Sequence, residues 1–151
     1  MSLRLNEQEQ MLVLAVLDAF IQSLHDPTAR AAYEEVRSAV ATGTVDESQV
    51  DALARVLEIA LQTGHVRRQF DAHAEKALIR VFHRTPRGAS LVAMTRQVNE
   101  ALQALVGRSL DGLSLTPGVP GEYRLTLNAD GTQVVVRIGP HGVHVDSMTV
   151  G

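Results

Sequence analysis

The chain has 151 residues, of which 45% are hydrophobic and 21% are charged, and its formal net charge is −3. It contains no cysteine, which excludes disulfide frameworks, cysteine–zinc sites, iron–sulfur clusters and thiol nucleophiles. Its hydrophobic content is too high for a disordered chain, and two tyrosines and three phenylalanines are too few to favour a nucleic-acid binder that stacks bases. This length predicts a single domain.

The charges are divided unevenly along the chain. Residues 1–64 contain four basic and ten acidic side chains, whereas residues 65–151 contain ten basic and seven acidic ones. The first segment therefore has a net charge of −6 and the second a net charge of +3. This asymmetry predicts attraction within the chain or between copies of it, and it points less strongly to a polyanionic partner.

The longest uninterrupted apolar run extends from Met11 to Leu17, which is too short to cross a bilayer. Glu7 and Glu9 precede this run, whereas the first part of a secretory signal is basic. The sequence therefore predicts a cytoplasmic protein with no membrane partner.

The first predicted helix extends from about Glu7 to Leu24. Asn6 is its predicted N-cap, and Glu9 lies at the position that completes a capping box. Apolar side chains cover nearly the whole circumference of this helix. A helix of this kind is expected to be buried on all sides, in the centre of a bundle or at a subunit interface.

The next two predicted helices are each marked by a cap and a stop. The second begins after Asp26, has Pro27 as its first residue and ends at Gly43. The third is capped by Asp46 and ends before Gly64. The connections are short, so sequential helices are expected to be antiparallel neighbours.

A fourth helix is predicted over residues 65–83, and Pro86 is expected to end it. Ser90 is the predicted cap of the fifth helix, which Gly107 closes. Residues 85–88 form a compact basic turn between the two helices. This turn either stops the fourth helix or holds an anion at the N-terminus of the fifth.

Near residue 108 the spacing of apolar residues changes from a helical period to alternation. Leu113 and Leu115 predict a short edge strand, and the prolines and glycines of residues 116–121 interrupt regular structure. Alternating apolar residues then predict three more strands, whose apolar positions lie within residues 123–127, 134–138 and 143–145.

The register of these strands follows from their alternation and their short turns. If Leu127 pairs with Val134 and Ile138 pairs with Val143, all apolar side chains lie on one face of the sheet. Met148 and Val150 are one step out of phase with Val143 and Val145, which predicts a bulge near residues 146–147. The apolar face needs a cover, which is either the helices or the sheet of a second subunit.

These patterns predict an α+β fold, with about five helices in an N-terminal bundle followed by a C-terminal antiparallel β-meander of three to four strands. Residues 1–151 are predicted to form one domain, with its helical part in residues 1–107 and its meander in residues 110–151. If the chain has a domain boundary, it is expected in residues 107–112.

A basic face is predicted on the fourth helix and its exit. On a continuous helix its members lie on one side: Lys76, Arg80, His83, Arg84 and Arg87. Because guanidinium groups bind phosphates and carboxylates in a bidentate manner, Arg80, Arg84 and Arg87 are candidate anion-binding residues. A solvated face, or a face that docks onto the acidic N-terminal half, explains the same pattern.

A second basic row is predicted on the polar face of the sheet. In the register above, Arg124 lies opposite Arg137, and Arg137 lies opposite His144. Directly opposed like charges are unfavourable, so water, Glu122 and Asp146, or an acidic partner must compensate them. These three basic residues are candidate anion-binding residues, and a solvated sheet face is the simpler interpretation.

No motif in the sequence predicts catalysis, since it has no nucleophile elbow, phosphate-binding loop or dinucleotide fingerprint. His65, His73 and His83 are spaced so that successive members lie about 80° apart on a helix, which is poor geometry for a metal. The sequence therefore predicts no catalytic residue, no metal and no cofactor.

Three functional hypotheses remain from the sequence. The first is a non-enzymatic cytoplasmic interaction or accessory module that self-associates, as a homodimer for example, or binds a protein partner. It rests on the apolar first helix and on the nearly heptad spacing of apolar residues at positions 91, 94, 98, 102 and 105, which an ordinary bundle core explains equally well.

The second hypothesis is an anion or nucleic-acid binding protein that uses the basic face of residues 65–88, with nucleic acid the less favoured ligand. The third is a small enzyme whose site lies between the fourth helix and the sheet and combines His73 or His83 with a carboxylate.

Overall fold

The computed structural model describes residues 2–151, and within this range it has an α+β fold of six α-helices, a C-terminal four-stranded antiparallel sheet and a small two-stranded sheet. The elements in chain order are β1 (Leu3–Arg4), α1 (Glu7–Ser23), α2 (Pro27–Thr42), β2 (Thr44–Val45), α3 (Glu47–Gln62), α4 (His65–Gln69), α5 (Ala72–His83), α6 (Pro86–Leu102), a 3-10 turn (Gln103–Leu105), β3 (Leu110–Pro117), β4 (Tyr123–Ala129), β5 (Thr132–Gly139) and β6 (Gly142–Thr149). The predicted fold class is therefore confirmed. The described residues divide into two compact units, 2–89 and 90–151, and the division lies inside α6.

Helix α1 begins where its capping residues predict. The backbone N–H of Glu9 donates to Asn6 Oδ1 at 2.8 Å, and the backbone N–H of Asn6 donates to Glu9 Oε1 at 3.0 Å. The helix packs against α2, α3 and α5, and Leu17 is fully buried among them. Met11 is 70% exposed, however, so the prediction of burial on all sides is wrong at this position.

Helices α2 and α3 also have the predicted ends. Asp26 accepts from the backbone N–H of Thr28, and Pro27 is the first residue of α2. Gly43 closes α2 with φ of +87°, a left-handed conformation that glycine adopts at little cost. Asp46 accepts from the backbone N–H of Ser48 at 3.0 Å and caps α3.

The single helix predicted over residues 65–83 is wrong, because the chain forms two helices there. Phe70 has an extended conformation and ends α4. Asp71 then caps α5, with its side chain accepting from the backbone N–H of Ala74 at 2.8 Å. The apolar residues keep helical spacing across the break, so periodicity alone did not reveal it.

The start of α6 also differs from the prediction, which placed a helix end at Pro86 and a cap at Ser90. Helix α6 instead begins at Pro86, where a missing N–H costs nothing. The hydroxyl of Thr85, which is completely buried, accepts from the backbone N–H of Gly88 at 3.1 Å. Residues 85–88 are therefore the cap and first turn of α6 and not a separate turn.

The sheet has the strand order β3-β4-β5-β6 and the predicted register. Leu127 pairs with Val134 and Ile138 pairs with Val143. The pairing shifts between Val135 and Val136, which leaves one extra residue in β6 at Asp146, so the predicted bulge is confirmed. Strand β3 has eight residues and continues to Pro117, so the predicted interruption over residues 116–121 begins too early.

The core of the second unit lies between α6 and part of the sheet. Val98 on the helix is buried together with Val134 and Val136 on β5. A Cβ atom on Gly142 would lie 2.5 Å from Met94 Sδ, which shows how closely α6 approaches the turn between β5 and β6. The expectation that helical residues cover the apolar face is therefore confirmed for the part formed by Val134, Val136, Val143 and Val145, whereas Ile138 on β5 and Met148 on β6 are exposed.

Candidate functional site

The predicted basic face does not form one continuous row, because its residues are distributed over two helices and the connection between them. Lys76, Arg80 and His83 lie on α5 and are exposed. Arg84 is the C-cap residue of α5, and Arg87 belongs to α6. The physical reason is that α5 ends and α6 begins within three residues. The five side chains are therefore not related by the regular rotation of one continuous helix.

Two of the candidate anion-binding arginines pair with carboxylates of the acidic N-terminal half. Arg84 Nη2 lies 2.9 Å from Glu9 Oε2, and Arg87 Nη2 lies 3.2 Å from Glu58 Oε1. The interpretation of this face as one that docks onto the acidic half fits both contacts. Of the three arginines, only Arg80 keeps its guanidinium free of a carboxylate among residues 2–151.

A third ion pair joins the two short helices. Arg67 on α4 donates from Nε to Glu75 Oε2 on α5 at 3.0 Å. The hydrogen bond and the charge of Glu75 raise the pKa of Arg67 above its usual value. This pair connects the helices across the break at residues 70–71.

The predicted row on the polar sheet face is present. Arg124 pairs with Arg137, and Arg137 pairs with His144. Arg124 also forms an ion pair with Asp146, whose Oδ2 lies 3.3 Å from Arg124 Nε. Asp146, which the sequence proposed as a compensating charge, therefore neutralises one end of the row.

At the other end of this row the sheet forms a shallow depression of about 120 Å³. Arg137, His144, His141 and Glu122 line it. Glu122 lies against the end of β5, since a Cβ atom on Gly139 would be 3.0 Å from Glu122 Cγ. The depression therefore combines one carboxylate with three basic side chains, which reduces its attraction for a free anion.

Part of the apolar face of the sheet has no cover within the second unit. Leu113 and Leu115 on β3 are 62% and 60% exposed, although their cross-strand partners Leu127 and Leu125 lie on the apolar face. The uncovered set, called the open face below, consists of Leu110, Leu113, Leu115, Tyr123 and Ile138. The sequence predicted that this face needs a cover but did not reveal that α6 spans only one side of it.

Strand β3 borders the open face and is an edge strand. Between Gly112 and Thr116 it carries no charged side chain and no proline, the usual features that protect an edge. Asp111 lies at a bulge at its start and accepts from the backbone N–H of Asp130 at 2.9 Å. The central part of this edge is therefore available for contact with another chain.

A separate cavity of about 210 Å³ lies in the first unit between α1, α3 and α4. Its walls are mainly apolar, and His65 and Arg68 contribute to one side. Sequence reasoning missed this cavity, because its apolar lining residues have the same spacing as ordinary core residues. The sequence feature that could have pointed to the cavity is the pair His65 and Arg68, which lie three residues apart at the start of the predicted fourth helix.

Metal-ligating side chains do not cluster in residues 2–151 in any group of three or more that could hold an ion. His73 and His83, the candidates for an acid–base site, are both exposed. Over the same described range, no helix is long and apolar enough to cross a membrane. Comparison of the chain with models of protein families, with curated proteins and with solved structures found no match.

Proposed function

We propose that this protein is a non-enzymatic cytoplasmic interaction module that self-associates as a homodimer through the open face of its second unit. The supporting observation is the row of exposed leucines on β3, which continues the apolar face beyond the area that α6 covers. A monomer gains nothing from keeping these side chains in water, whereas an interface removes them from it.

The size of the open face suits an interface. Its five side chains are each between 37% and 62% exposed. They form a patch on the order of 500 Å², which is in the range of the largest apolar patch of a typical monomer, a patch that is often functional. Two copies joined through this patch bury about 1,000 Å², which is the minimum expected of a biological interface and is typical of weakly associating proteins.

A second copy is the occupant that the chemistry of the patch favours. The open face carries no charge, so two identical faces related by a two-fold axis meet without opposed like charges. A second sheet packs about 10 Å from the first, which is also the thickness of a helix layer such as that of α6. The partner sheet and α6 can therefore lie side by side on one face.

The alternative of anion binding has weaker support. Arg84 and Arg87 are engaged with Glu9 and Glu58, and Asp146 neutralises Arg124. A free anion would have to displace these carboxylates or share the sheet depression with Glu122. The open face has no such competitor, and we therefore favour self-association. The proposed cytoplasmic location of the protein rests on the sequence alone, in which Glu7 and Glu9 precede the longest apolar run and that run is too short to cross a bilayer.

Sedimentation equilibrium over a range of protein concentrations tests this proposal. We expect the wild-type chain to be dimeric at micromolar concentrations and Leu115→Lys to be monomeric, because the substitution places an unpaired charge inside the apolar interface. Ser114→Lys is the matched control, since it adds the same charge one residue away on the opposite face of β3. A monomeric wild-type chain, or equal dissociation of both folded variants, contradicts the proposal.

A further inference from the structure

We draw no further inference here: the strongest candidate, the uncharged outer edge of β3 between Gly112 and Thr116, borders the open face already proposed for self-association, and nothing in the structure shows which chain would pair with it.

Discussion

At the scale of single residues, the position of a buried hydroxyl determines where α6 begins. Thr85 is completely buried, accepts from the backbone N–H of Gly88 and donates to the backbone oxygen of Phe82. Gly88 is tightly enclosed as well, since a Cβ atom there would lie 1.9 Å from the oxygen of Phe82. These contacts fix the close junction between α5 and α6.

Replacement of this hydroxyl is expected to destabilise the protein. Thr85→Val keeps the shape of the side chain but leaves the N–H of Gly88 without a partner, and we expect it to lower the free energy of unfolding by about 2 kcal/mol. Thr85→Ser keeps the hydroxyl and removes one methyl group, so its expected cost is below about 1 kcal/mol. Urea denaturation followed by circular dichroism measures both values, and a greater loss for the serine variant contradicts this account.

At the scale of secondary-structure elements, capping residues mark the starts of the helices more reliably than the spacing of apolar residues does. Asn6, Asp26 and Asp46 occur where a new apolar pattern starts, and all three cap helices as the sequence predicts. Asp71 caps α5 inside an uninterrupted apolar pattern, so the spacing of apolar residues does not reveal its role. The strands are predicted more accurately, because a slip of one residue turns every apolar side chain to the other face and the short turns fix the remaining choice of register.

The break between α4 and α5 gives a prediction for Asp71. Asp71→Ala removes the acceptor for the N–H of Ala74, and we expect a loss of about 1 kcal/mol in the free energy of unfolding and faster hydrogen exchange at the amide of Ala74. Asp71→Asn is the control, because asparagine caps helices about as well as aspartate. If the alanine variant is as stable as the wild-type chain, the Asp71 cap does not stabilise α5.

At the scale of the whole molecule, some of the unevenly distributed charges form ion pairs within the first unit. Arg84 and Arg87 come from the basic part of the sequence, and their partners Glu9 and Glu58 come from the acidic part. The sequence predicted such attraction within the chain or between copies of it. These ion pairs are partly exposed, so they orient helices more than they stabilise the fold.

The predicted single domain can be tested by calorimetry. Helix α6 runs without interruption from Pro86 to Leu102, across the division at Ala89. In the monomeric Leu115→Lys variant we therefore expect one unfolding transition with a calorimetric enthalpy equal to the van't Hoff enthalpy. Thr85→Val, a change in the first unit, is expected to lower the melting temperature of the strands and of the helices by the same amount. Two resolved transitions would show that the units unfold separately.

The sequence by itself determined the fold class, most helix ends and the complete register of β4, β5 and β6. Each of these features depends on residues that are close in the chain: a capping residue and the N–H groups that donate to it, or two strands joined by a short turn. Local sequence patterns are therefore enough to predict them. It also identified the row of Arg124, Arg137 and His144, although not the cavity beside His65 and Arg68.

Only the tertiary structure decided which surfaces are covered and which charges are paired. The open face exists because α6 spans one side of the sheet, and a sequence does not show how far a helix extends over its neighbours. The cavity exists because α1, α3 and α4 leave a space between side chains that are far apart in the chain. Arg84 and Glu9, 75 positions apart, meet for the same reason: packing of whole elements, and not spacing along the chain, brings them together.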